Sequence, residues 1–339
     1  MKKFYIQKKT NIFKKILFLI LRKFQLEVFE QKTLSIPILR KNFDQNLSNF
    51  NKNYFILPFQ KTKILREIKS LTILFRSCEN VMIYDSSKKR VFEEPKKEYS
   101  IRSFNSIIKS CNSAKKKIKD LKIKVIIIDD NSSKSLTYKY KEICKKNKIN
   151  SLIFNLNINE FDNLISKNVS KQTFANLASL YKSFLLAKEE AEDLIYFVED
   201  DYIHSRNAVE EMLYSYQKLV TETRKEIFLC PTDYPFLYNN IEATKVVLGS
   251  KRHWRLTNQT LCTFLTSKKL LLKYWKNFIK LANKRNDPFE KPLDEIYKKE
   301  MCFTPLPSLA IHCTNIKSTY GLSPYINWRL LWNENKIND

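Results

Sequence analysis

Glycine is almost absent from this chain, whose 339 residues include 2 glycines, Gly249 and Gly321. The nucleotide-binding loops GxGxxG and GxxxxGKS/T need several closely spaced glycines, because only glycine lets the backbone approach a phosphate closely. Neither loop occurs, and the nucleophile elbow GxSxG is missing too. The sequence therefore argues against P-loop kinases, dehydrogenases with a dinucleotide-binding loop, and α/β-hydrolases.

Regularly spaced cysteines are also missing. The chain has 7 cysteines, all scattered singly, and no CxxC pair occurs. Structural zinc sites and disulfide frameworks depend on such spacings, so neither is encoded in a recognisable form. Reduced thiols are typical of cytoplasmic proteins. We therefore expect a cytoplasmic protein.

The N-terminal region has no apolar run long enough to cross a bilayer, which takes ~20 residues. Its apolar run, residues 16–21, lies between Lys14-Lys15 and Arg22-Lys23, and no small-residue cleavage site follows. We therefore do not expect a secretory signal. The run fits either an ordinary buried helix or a basic amphipathic segment at an anionic membrane surface. Residues 1–70 contain 16 Lys and Arg against 4 Asp and Glu, a balance that suits a peripheral membrane contact.

The formal net charge is +26, which alone suggests nucleic acid or an anionic membrane as a partner. Lys, Asn, Ile and Phe are all plentiful, so the excess of Lys reflects a bias of the whole chain and selects no binding face. No Arg-rich stripe, zinc-finger spacing or RNA-recognition pattern accompanies it. We do not expect a nucleic-acid partner, although a basic nucleic-acid- or membrane-binding protein without catalysis stays an alternative.

Short apolar runs alternate with helical periods from residue 71 onward. The runs that we predict to be strands are rich in β-branched or aromatic residues and lie at 71–75, 123–128, 152–154 and 194–198. Helical stripes at 101–111 and 174–185 separate them. This alternation predicts an α/β fold with a mostly parallel sheet flanked by helices. Ligands of such sheets bind beyond the carboxyl ends of the strands.

Three consecutive carboxylates, Glu199-Asp200-Asp201, directly follow the last of these strands. At this spacing they repel one another, and a divalent cation that prefers hard oxygen ligands, Mg²⁺ or Mn²⁺, removes the repulsion. Such an ion also neutralises a departing diphosphate. The alternative is a solvated acidic turn that leads into a helix with Ser205 as its N-cap. An acidic strand end in an otherwise basic chain favours the metal site.

Two segments carry a resemblance to a known family. Residues 194–201, LIYFVEDD, resemble the acidic metal motif of GT-A glycosyltransferases, which is written DxD and has an EDD variant. Residues 125–133, VIIIDDNSS, resemble the end of the first nucleotide-binding strand of family 2 glycosyltransferases. The resemblance spans about residues 71–313. It implies a GT-A-like fold, a nucleotide-diphosphate-sugar donor and Mn²⁺ or Mg²⁺ as cofactor.

The same resemblance implies roles for the acidic residues at the strand ends. Asp201 corresponds to the direct metal ligand, and Glu199 and Asp200 would face the ribose and the donor sugar. Asp129 or Asp130 would contact the base or the ribose of the nucleotide. The alternative for this last pair is an Asx-type turn that closes the strand.

Three further positions correspond to family sites. Arg76, just past the first predicted strand, would line the nucleotide pocket, although a surface arginine fits as well. Asp294-Glu295 resembles the acidic pair that holds the catalytic base of inverting enzymes, which is needed because the acceptor hydroxyl must lose a proton. The family order is Glu-Asp, so either residue could be the base here. Its place as the second member of the pair favours Glu295. The alternative is that the pair is only the acidic first turn of a helix. His312 resembles the late histidine at the metal or diphosphate, although a single histidine is more often structural.

The acceptor side is less clearly marked. A basic and aromatic loop, Trp254-Arg255, precedes a predicted strand at 261–265. Arg255 could hold the diphosphate and Trp254 could stack on a sugar. Asp233 and Tyr234 are further candidates for lining the acceptor site. The family usually has a glycine-rich loop here, and this chain has only Gly249, so the acceptor geometry is not expected to follow the family closely.

These observations predict a metal-dependent glycosyltransferase that transfers a sugar to an acceptor hydroxyl with inversion. The alternative enzyme is a nucleotidyltransferase, which would release pyrophosphate. We predict a basic N-terminal extension over residues 1–68 and a main domain over 69–339, with a nucleotide-binding half at 69–201 and an acceptor half at 202–339. The family role is cell-envelope glycan synthesis on a glycan or glycolipid acceptor. That role implies a cytoplasmic location, either free or peripheral at the inner face of the membrane.

Overall fold

The computed structural model of the protein describes residues 11–26, 28, 54–57, 60–79, 90–239, 241 and 243–337. Contacts divide the chain into two compact units, Met1–Asn49 with Tyr54–Thr62, and Phe50–Asn53 with Lys63–Asp339. Much of the predicted extension over residues 1–68 lies outside the described residues. The boundary between residues 68 and 69, and the division of the main domain at residue 201, stay predictions.

The first unit contains helix α1, Ile12–Lys23, and most of a two-stranded sheet formed by β1, Tyr54–Leu57, and β2, Gln60–Lys63. Helix α1 begins at Asn11, whose side-chain oxygen accepts the Phe13 backbone N–H at 3.1 Å, an N-cap arrangement. No residue of α1 is buried, which contradicts the expectation of an ordinary buried helix. Among the described helices, none is long and apolar enough to cross a membrane.

The second unit is built from alternating strands and helices in its first half and from mixed elements in its second half. Its strands are β3 Ser70–Ser77, β4 Lys122–Asp129, β5 Asn150–Asn155, β6 Leu194–Glu199, β7 Tyr202–His204, β8 Phe228–Leu229, β9 Val246–Leu248, β10 His253–Thr257, β11 Phe264–Ser267, β12 Cys302–Leu306 and β13 Ala310–His312. Its α-helices are α2 Lys96–Lys117, α3 Lys134–Lys146, α4 Lys171–Glu190, α5 Ala208–Thr223, α6 Lys268–Lys273, α7 Trp275–Ala282, α8 Lys291–Tyr297 and α9 Trp328–Glu334. Short 3₁₀ helices lie at Ile158–Phe161 and Pro235–Tyr238.

The central sheet has nine strands in the order β5-β4-β3-β6-β11-β8-β12-β10-β9. The pairs from β5 to β6 are all parallel. Strand β11 is antiparallel to β6 and β8, and β12 returns parallel to β8. A separate small sheet pairs β13 with β7. The prediction of an α/β fold with a mostly parallel sheet flanked by helices is confirmed, and the antiparallel pairs of the central sheet are those made by β10 and β11.

Helices cover both faces of the sheet because successive side chains of a strand point to opposite sides. On β3, Ile73 and Phe75 pack into one apolar cluster with residues of α2 and α5, whereas Leu74 packs into the other with residues of α4 and α7. Strands buried on both faces read as continuous apolar runs. That is why the sequence identifies β3, β4 and β6 within one or two residues of their bounds.

One predicted strand is misplaced. The run at 261–265 lies at Phe264–Ser267 in the structure, three residues later at its start. Residues 260–262 instead precede the strand, and the hydroxyl of Thr260 is 2.8 Å from that of Tyr297. The residues just before and just after the start of this strand are buried alike, so the sequence pattern does not show where the strand begins.

Candidate active site

Three neighbouring parallel strands end at one edge of the sheet. Arg76 of β3 is in register with Glu199 of β6, and Ser77 is in register with Asp129 of β4. The strands run in the same direction, so their carboxyl ends meet and their polar termini share one edge. The acidic residues predicted from two distant segments are therefore brought together.

Arg76 is a buried residue and not a surface arginine, with 8% of its surface exposed. Its guanidinium donates to Glu199 Oε1 at 2.5 Å and to Asn176 Oδ1 at 2.9 Å. Burial raises the pKa of Glu199, and this effect outweighs the opposing charge of Arg76. The second carboxylate oxygen of Glu199 is 3.4 Å from the hydroxyl of Thr263. Arg76 thus fixes Glu199 at the edge of the site.

Asp200 is fully engaged by protein groups. Its Oδ2 accepts from the Ser100 hydroxyl at 2.6 Å and from the Cys78 backbone N–H at 3.0 Å. Its Oδ1 forms an ion pair with Lys96 at the start of α2. Both oxygens are occupied, which contradicts the expectation that Asp200 faces the donor. Asp200 instead ties the end of β6 to α2.

Asp201 has a free carboxylate oxygen. Its Oδ1 is buried and has no hydrogen-bond partner among the described residues. Its Oδ2 is 3.4 Å from Nε2 of His312. Burial by itself raises the pKa of a carboxyl, but the charges of His312 and Lys96 outweigh it and lower the pKa of Asp201. Asp201 is therefore held as a carboxylate with one oxygen available.

His312, on β13, is oriented through its other ring nitrogen. Nδ1 lies 2.7 Å from the backbone carbonyl of Tyr320 and donates to it. The imidazole stacks on Tyr202 with ring centroids 4.6 Å apart and an interplanar angle of 7°. Burial lowers the pKa of His312, but the neighbouring charge of Asp201 outweighs it and raises the pKa. A histidine fixed by a carbonyl in this way presents its second nitrogen to a metal ion.

The donor atoms of Asp201 and His312 fit a divalent cation. A buried carboxylate oxygen without a partner supplies the hard ligand that Mg²⁺ and Mn²⁺ prefer, and imidazole suits Mn²⁺ less strongly. In the part of the chain that the structure describes, no group of three or more His, Cys, Asp or Glu forms a ready-made metal cage. Two protein ligands suit an ion that takes its other ligands from water and substrate phosphates.

Asp129 and Asp130 close strand β4 in a tight turn. Asp129 Oδ2 accepts the Ser132 backbone N–H at 3.1 Å, and Asn131 has a positive φ of 54°, as the Asx-type alternative expects. The other oxygen of Asp129 is buried and has no partner among the described residues. Asp130 accepts the thiol of Cys78 at 3.6 Å. Burial raises the pKa of both carboxyls. The second oxygen of Asp129 is the polar atom that the turn offers to a ligand.

Two further carboxyl groups lie at the start of α8, and the charge of Glu199 acts on the first of them, Glu290. Glu290 is the residue before this helix, and burial, with the charges of Glu199 and Asp294, raises its pKa to about 7. Burial, with the charge of Glu295, raises the pKa of Asp294 to about 6. Asp294 Oδ1 is buried and has no partner among the described residues. Both pKa values suit a group that takes up a proton near neutral pH.

Glu295 points to a neighbouring helix. Its carboxylate is 3.3 Å from Lys280 Nζ and 3.4 Å from the side-chain amide of Asn277, both on α7. The preference for Glu295 as the base is therefore not supported by the geometry. Successive residues of a helix point about 100° apart, so Asp294 and Glu295 cannot share one direction.

Two of the predicted acceptor residues pair with each other. Asp233 pairs with Arg255, with Oδ1 and Nη2 2.7 Å apart, and also accepts the hydroxyl of Tyr238. The Arg255 guanidinium lies 4.4 Å from the centroid of the Tyr238 ring. Asp233 is 1% exposed. Arg255 is therefore already neutralised, and the geometry gives no support to its predicted contact with a diphosphate.

Two of the aromatic candidates are inaccessible. Trp254 is 0% exposed, and its indole N–H is 3.4 Å from Glu211 Oε1. Tyr234 is also 0% exposed, with its hydroxyl 2.7 Å from that of Tyr202. Neither ring offers a face to a ligand, which contradicts the predicted stacking on Trp254 and the predicted lining role of Tyr234. Both are core residues behind the site.

No protein-family model matches the chain, and no protein of curated function matches its sequence. Its solved structural matches include glycosyltransferases and a nucleotidyltransferase. S. aureus TarS has 12% identity and a TM-score of 0.33, covering 60% of this chain and 29% of that chain. Mouse xyloside xylosyltransferase 1 has 8% identity and a TM-score of 0.41, covering 69% of this chain and 84% of that one.

A UDP-glucose pyrophosphorylase complexed with UDP-glucose has 8% identity and a TM-score of 0.39, covering 78% of this chain and 97% of that one. The chain thus spans under a third of the length of TarS and nearly all of the pyrophosphorylase. At these identities and TM-scores we infer no activity from any of the three.

Three residues of the site have no clear signal in the sequence. Lys96 is one of many lysines, and nothing marks its pairing with an aspartate about a hundred residues later. Glu290 precedes Lys291-Pro292 and looks like an ordinary residue before a helix, where proline is common at the first turn. Tyr320 lies in an irregular loop whose path follows no periodic pattern. All three reach the site through tertiary contacts alone.

Proposed function

We propose that the protein is a divalent-metal-dependent glycosyltransferase that moves a sugar from a nucleotide-diphosphate sugar to an acceptor hydroxyl, with inversion at the anomeric carbon. The observation that carries the proposal is the environment of Asp201. It combines a buried carboxylate oxygen that has no partner in the described part of the chain with a histidine whose far nitrogen is held by a carbonyl, at the carboxyl ends of parallel strands. An ionised carboxylate with a free buried oxygen favours a cation.

In this proposal Asp201 and His312 hold Mn²⁺ or Mg²⁺. When bound, the ion supplies positive charge against the leaving nucleoside diphosphate. Asp129 and Asp130, at the end of the adjacent strand, contact the base or ribose. Glu199, fixed by its ion pair with Arg76, faces the donor sugar.

The proton of the acceptor hydroxyl goes to a carboxylate at the start of α8. Asp294 is the member of the acidic pair with a buried oxygen that no described residue contacts by a hydrogen bond, and Glu290 is the neighbouring carboxyl with a pKa of about 7. Either takes up the proton as the hydroxyl oxygen attacks the anomeric carbon and the diphosphate departs. A single displacement of this kind inverts the configuration. We propose a glycan or glycolipid acceptor in cell-envelope synthesis, as the family resemblance implies.

Donor binding by calorimetry tests the proposal. A panel of nucleotide sugars is titrated with and without Mn²⁺ into the wild type, Asp201→Ala, and Asp162→Ala as an exposed aspartate elsewhere on the chain. We expect one donor to bind in a metal-dependent way to the wild type and to Asp162→Ala. Binding to Asp201→Ala should weaken by about 100-fold or more, because a lost carboxylate ligand removes a charge-assisted contact of ~3 kcal/mol.

Absence of donor binding in every condition would contradict the proposal, as would binding that Asp201→Ala leaves unchanged. The reaction products distinguish the remaining possibilities. Release of a nucleoside diphosphate is expected, whereas pyrophosphate would identify a nucleotidyltransferase. Retained configuration of the product in an NMR time course would contradict the single displacement.

A further inference from the structure

An exposed group of aromatic side chains lies beside His312. It is formed by two hydrogen-bonded segments, the 3₁₀ helix Pro235–Tyr238 and the loop around Tyr320, since the Phe236 backbone N–H donates to the carbonyl of Thr319 at 2.8 Å. The rings of Phe236 and Tyr320 are 4.8 Å apart at an angle of 47°. Tyr320 is 42% exposed and Phe236 is half-buried. We call these two residues the aromatic wall.

Buried rings hold the aromatic wall from behind. Tyr234 stacks on Phe236 with centroids 5.8 Å apart, and its hydroxyl bonds to that of Tyr202 at 2.7 Å. Tyr202 in turn stacks on His312. Continuous packing therefore links the exposed rings to the proposed metal ligand. A fixed aromatic face loses little conformational freedom when a ligand covers it.

Tyr320 also lies near the proposed proton acceptors. The backbone carbonyl of Tyr320 accepts from His312 Nδ1 at 2.7 Å, which places this residue at the rim of the active site. Burial, and then the charges of Glu290 and Asp294, raise the pKa of the Tyr320 hydroxyl. The ring therefore lies close to the two carboxyl groups that act on the acceptor.

We propose that Tyr320 and Phe236 form the acceptor subsite and bind a pyranose ring by its apolar C–H face. A sugar ring has C–H groups on one face and hydroxyls around its edge, so an aromatic ring beside carboxylates matches both parts. The rings first expected to stack, Trp254 and Tyr234, are fully buried. This subsite rests on the proposed glycosyl transfer, and the acceptor class it predicts is a saccharide end with a cyclic sugar.

Saturation-transfer NMR on the full chain tests the subsite without a known donor. The probes are methyl pyranosides of glucose, galactose and N-acetylglucosamine, with the acyclic polyol sorbitol as a control ligand. We expect at least one pyranoside to bind, with the strongest transfer to the C–H protons of one ring face. Sorbitol, which has no ring face, should show no transfer.

Variants locate the contact. We expect Tyr320→Ala to weaken binding of that pyranoside by about 3- to 10-fold, the usual value of one aromatic contact. Tyr320→Phe keeps the ring and should bind within about 2-fold of the wild type. Neither change removes the backbone carbonyl that holds His312. Tyr138→Ala, at a tyrosine on α3 that is 62% exposed, is the matched control and should bind as the wild type does.

Absence of pyranoside binding to the wild type would overturn the subsite, and so would equal binding by the wild type and Tyr320→Ala. Donor calorimetry separates this failure from failure of the proposed function. Metal-dependent donor binding without a Tyr320 effect would refute the subsite alone. Pyranoside binding that depends on Tyr320, in a protein that binds no nucleotide sugar, would support the saccharide site and refute glycosyl transfer.

Discussion

Three consecutive carboxylates in this chain occupy three different environments. Glu199 is paired with Arg76 at 2.5 Å, Asp200 is enclosed by three donors, and Asp201 keeps a free oxygen beside His312. Glu199 is the last residue of β6, whereas Asp200 and Asp201 lie in the turn that follows it, so the three adjacent acids meet different partners. The middle residue therefore supports the architecture, while the outer two remain at the ligand edge.

The proposed catalytic base, Asp294 or Glu290, predicts a dependence of the rate on pH. A base acts only when deprotonated, so kcat/KM should rise with pH until the base is ionised. Burial raises the pKa of Asp294 to about 6 and that of Glu290 to about 7. We expect the acid limb of the profile to have an apparent pKa between about 6 and 7 rather than the ~4 of an ordinary carboxyl. Initial rates of nucleoside-diphosphate release across pH measure it.

Amide variants identify the group responsible. Glu290→Gln or Asp294→Asn should lower kcat by about 100-fold or more and remove the limb, since general base catalysis contributes ~10²–10⁴. Glu295→Gln, at the neighbouring carboxyl bound to Lys280, should keep both rate and profile. A limb near pH 4, or one lost only in Glu295→Gln, would refute this assignment.

The sequence predicts these residues unevenly. It identifies the acidic cluster, because three acids after an apolar strand are conspicuous, and the family resemblance singles out His312. It does not distinguish Asp200 from its neighbours, because the groups that enclose it lie on other segments. It also favours Trp254 for stacking, because a tryptophan in a basic loop looks exposed until packing buries it.

Among the secondary-structure elements, Asp200 joins strand β6 to helix α2. Its ion pair with Lys96 leaves the two side chains only 10% and 11% exposed. Removing one partner of a buried ion pair leaves the other charge buried and unpaired, which costs about 3 kcal/mol or more. We therefore expect Asp200→Asn to lower the free energy of unfolding by about 3 kcal/mol, as measured by urea denaturation.

An exposed pair on the same molecule is the control. Glu160 and Lys182 are 3.4 Å apart with side chains 51% and 25% exposed, and such pairs contribute ~0.5 kcal/mol or less. Glu160→Gln should change stability by no more than that. Combining Asp200→Asn with Lys96→Met should recover part of the loss, since the unpaired charge is gone. Equal stability of Asp200→Asn and the wild type would show that the pair does not hold the elements together.

The sequence predicts the first half of the sheet better than the second. Strands β3, β4 and β6 are central and buried on both faces, so their apolar runs are long enough to recognise. Strands β8 and β11 have two and four residues, and their antiparallel or mixed pairing depends on segments far apart in sequence. Runs of that length carry no period, which explains the misplaced strand at 261–265.

For the molecule as a whole, two features have no part in the proposed reaction. They are the net charge of +26 and the exposed apolar face of α1. Ile16 is 51% exposed and Ile20 48%, one turn apart on the same face. Lys14, Lys15 and Lys23 lie on the same helix. An apolar face with basic residues beside it is typical of helices that lie in the plane of an anionic bilayer surface. The membrane contact predicted from the sequence thus stays a prediction, and α1 is the segment that we expect to make it.

Vesicle flotation with the full chain tests the membrane contact. We expect binding to mixed phosphatidylglycerol and phosphatidylcholine vesicles that falls as salt rises, and little binding to phosphatidylcholine alone, because charge and apolar burial act together. Ile16→Asp with Ile20→Asp should lose the binding, whereas Leu330→Asp, at a leucine 54% exposed on α9, should retain it. Lys14→Glu with Lys15→Glu should weaken it by about 10-fold or more, at ~1 kcal/mol per basic residue.

Loss of binding in Leu330→Asp, or equal binding by all variants, would mean that the general charge of the protein is responsible. A second copy as the occupant of this face would appear instead as a dimer in sedimentation that the Ile16 and Ile20 changes abolish, with no vesicle binding by the wild type.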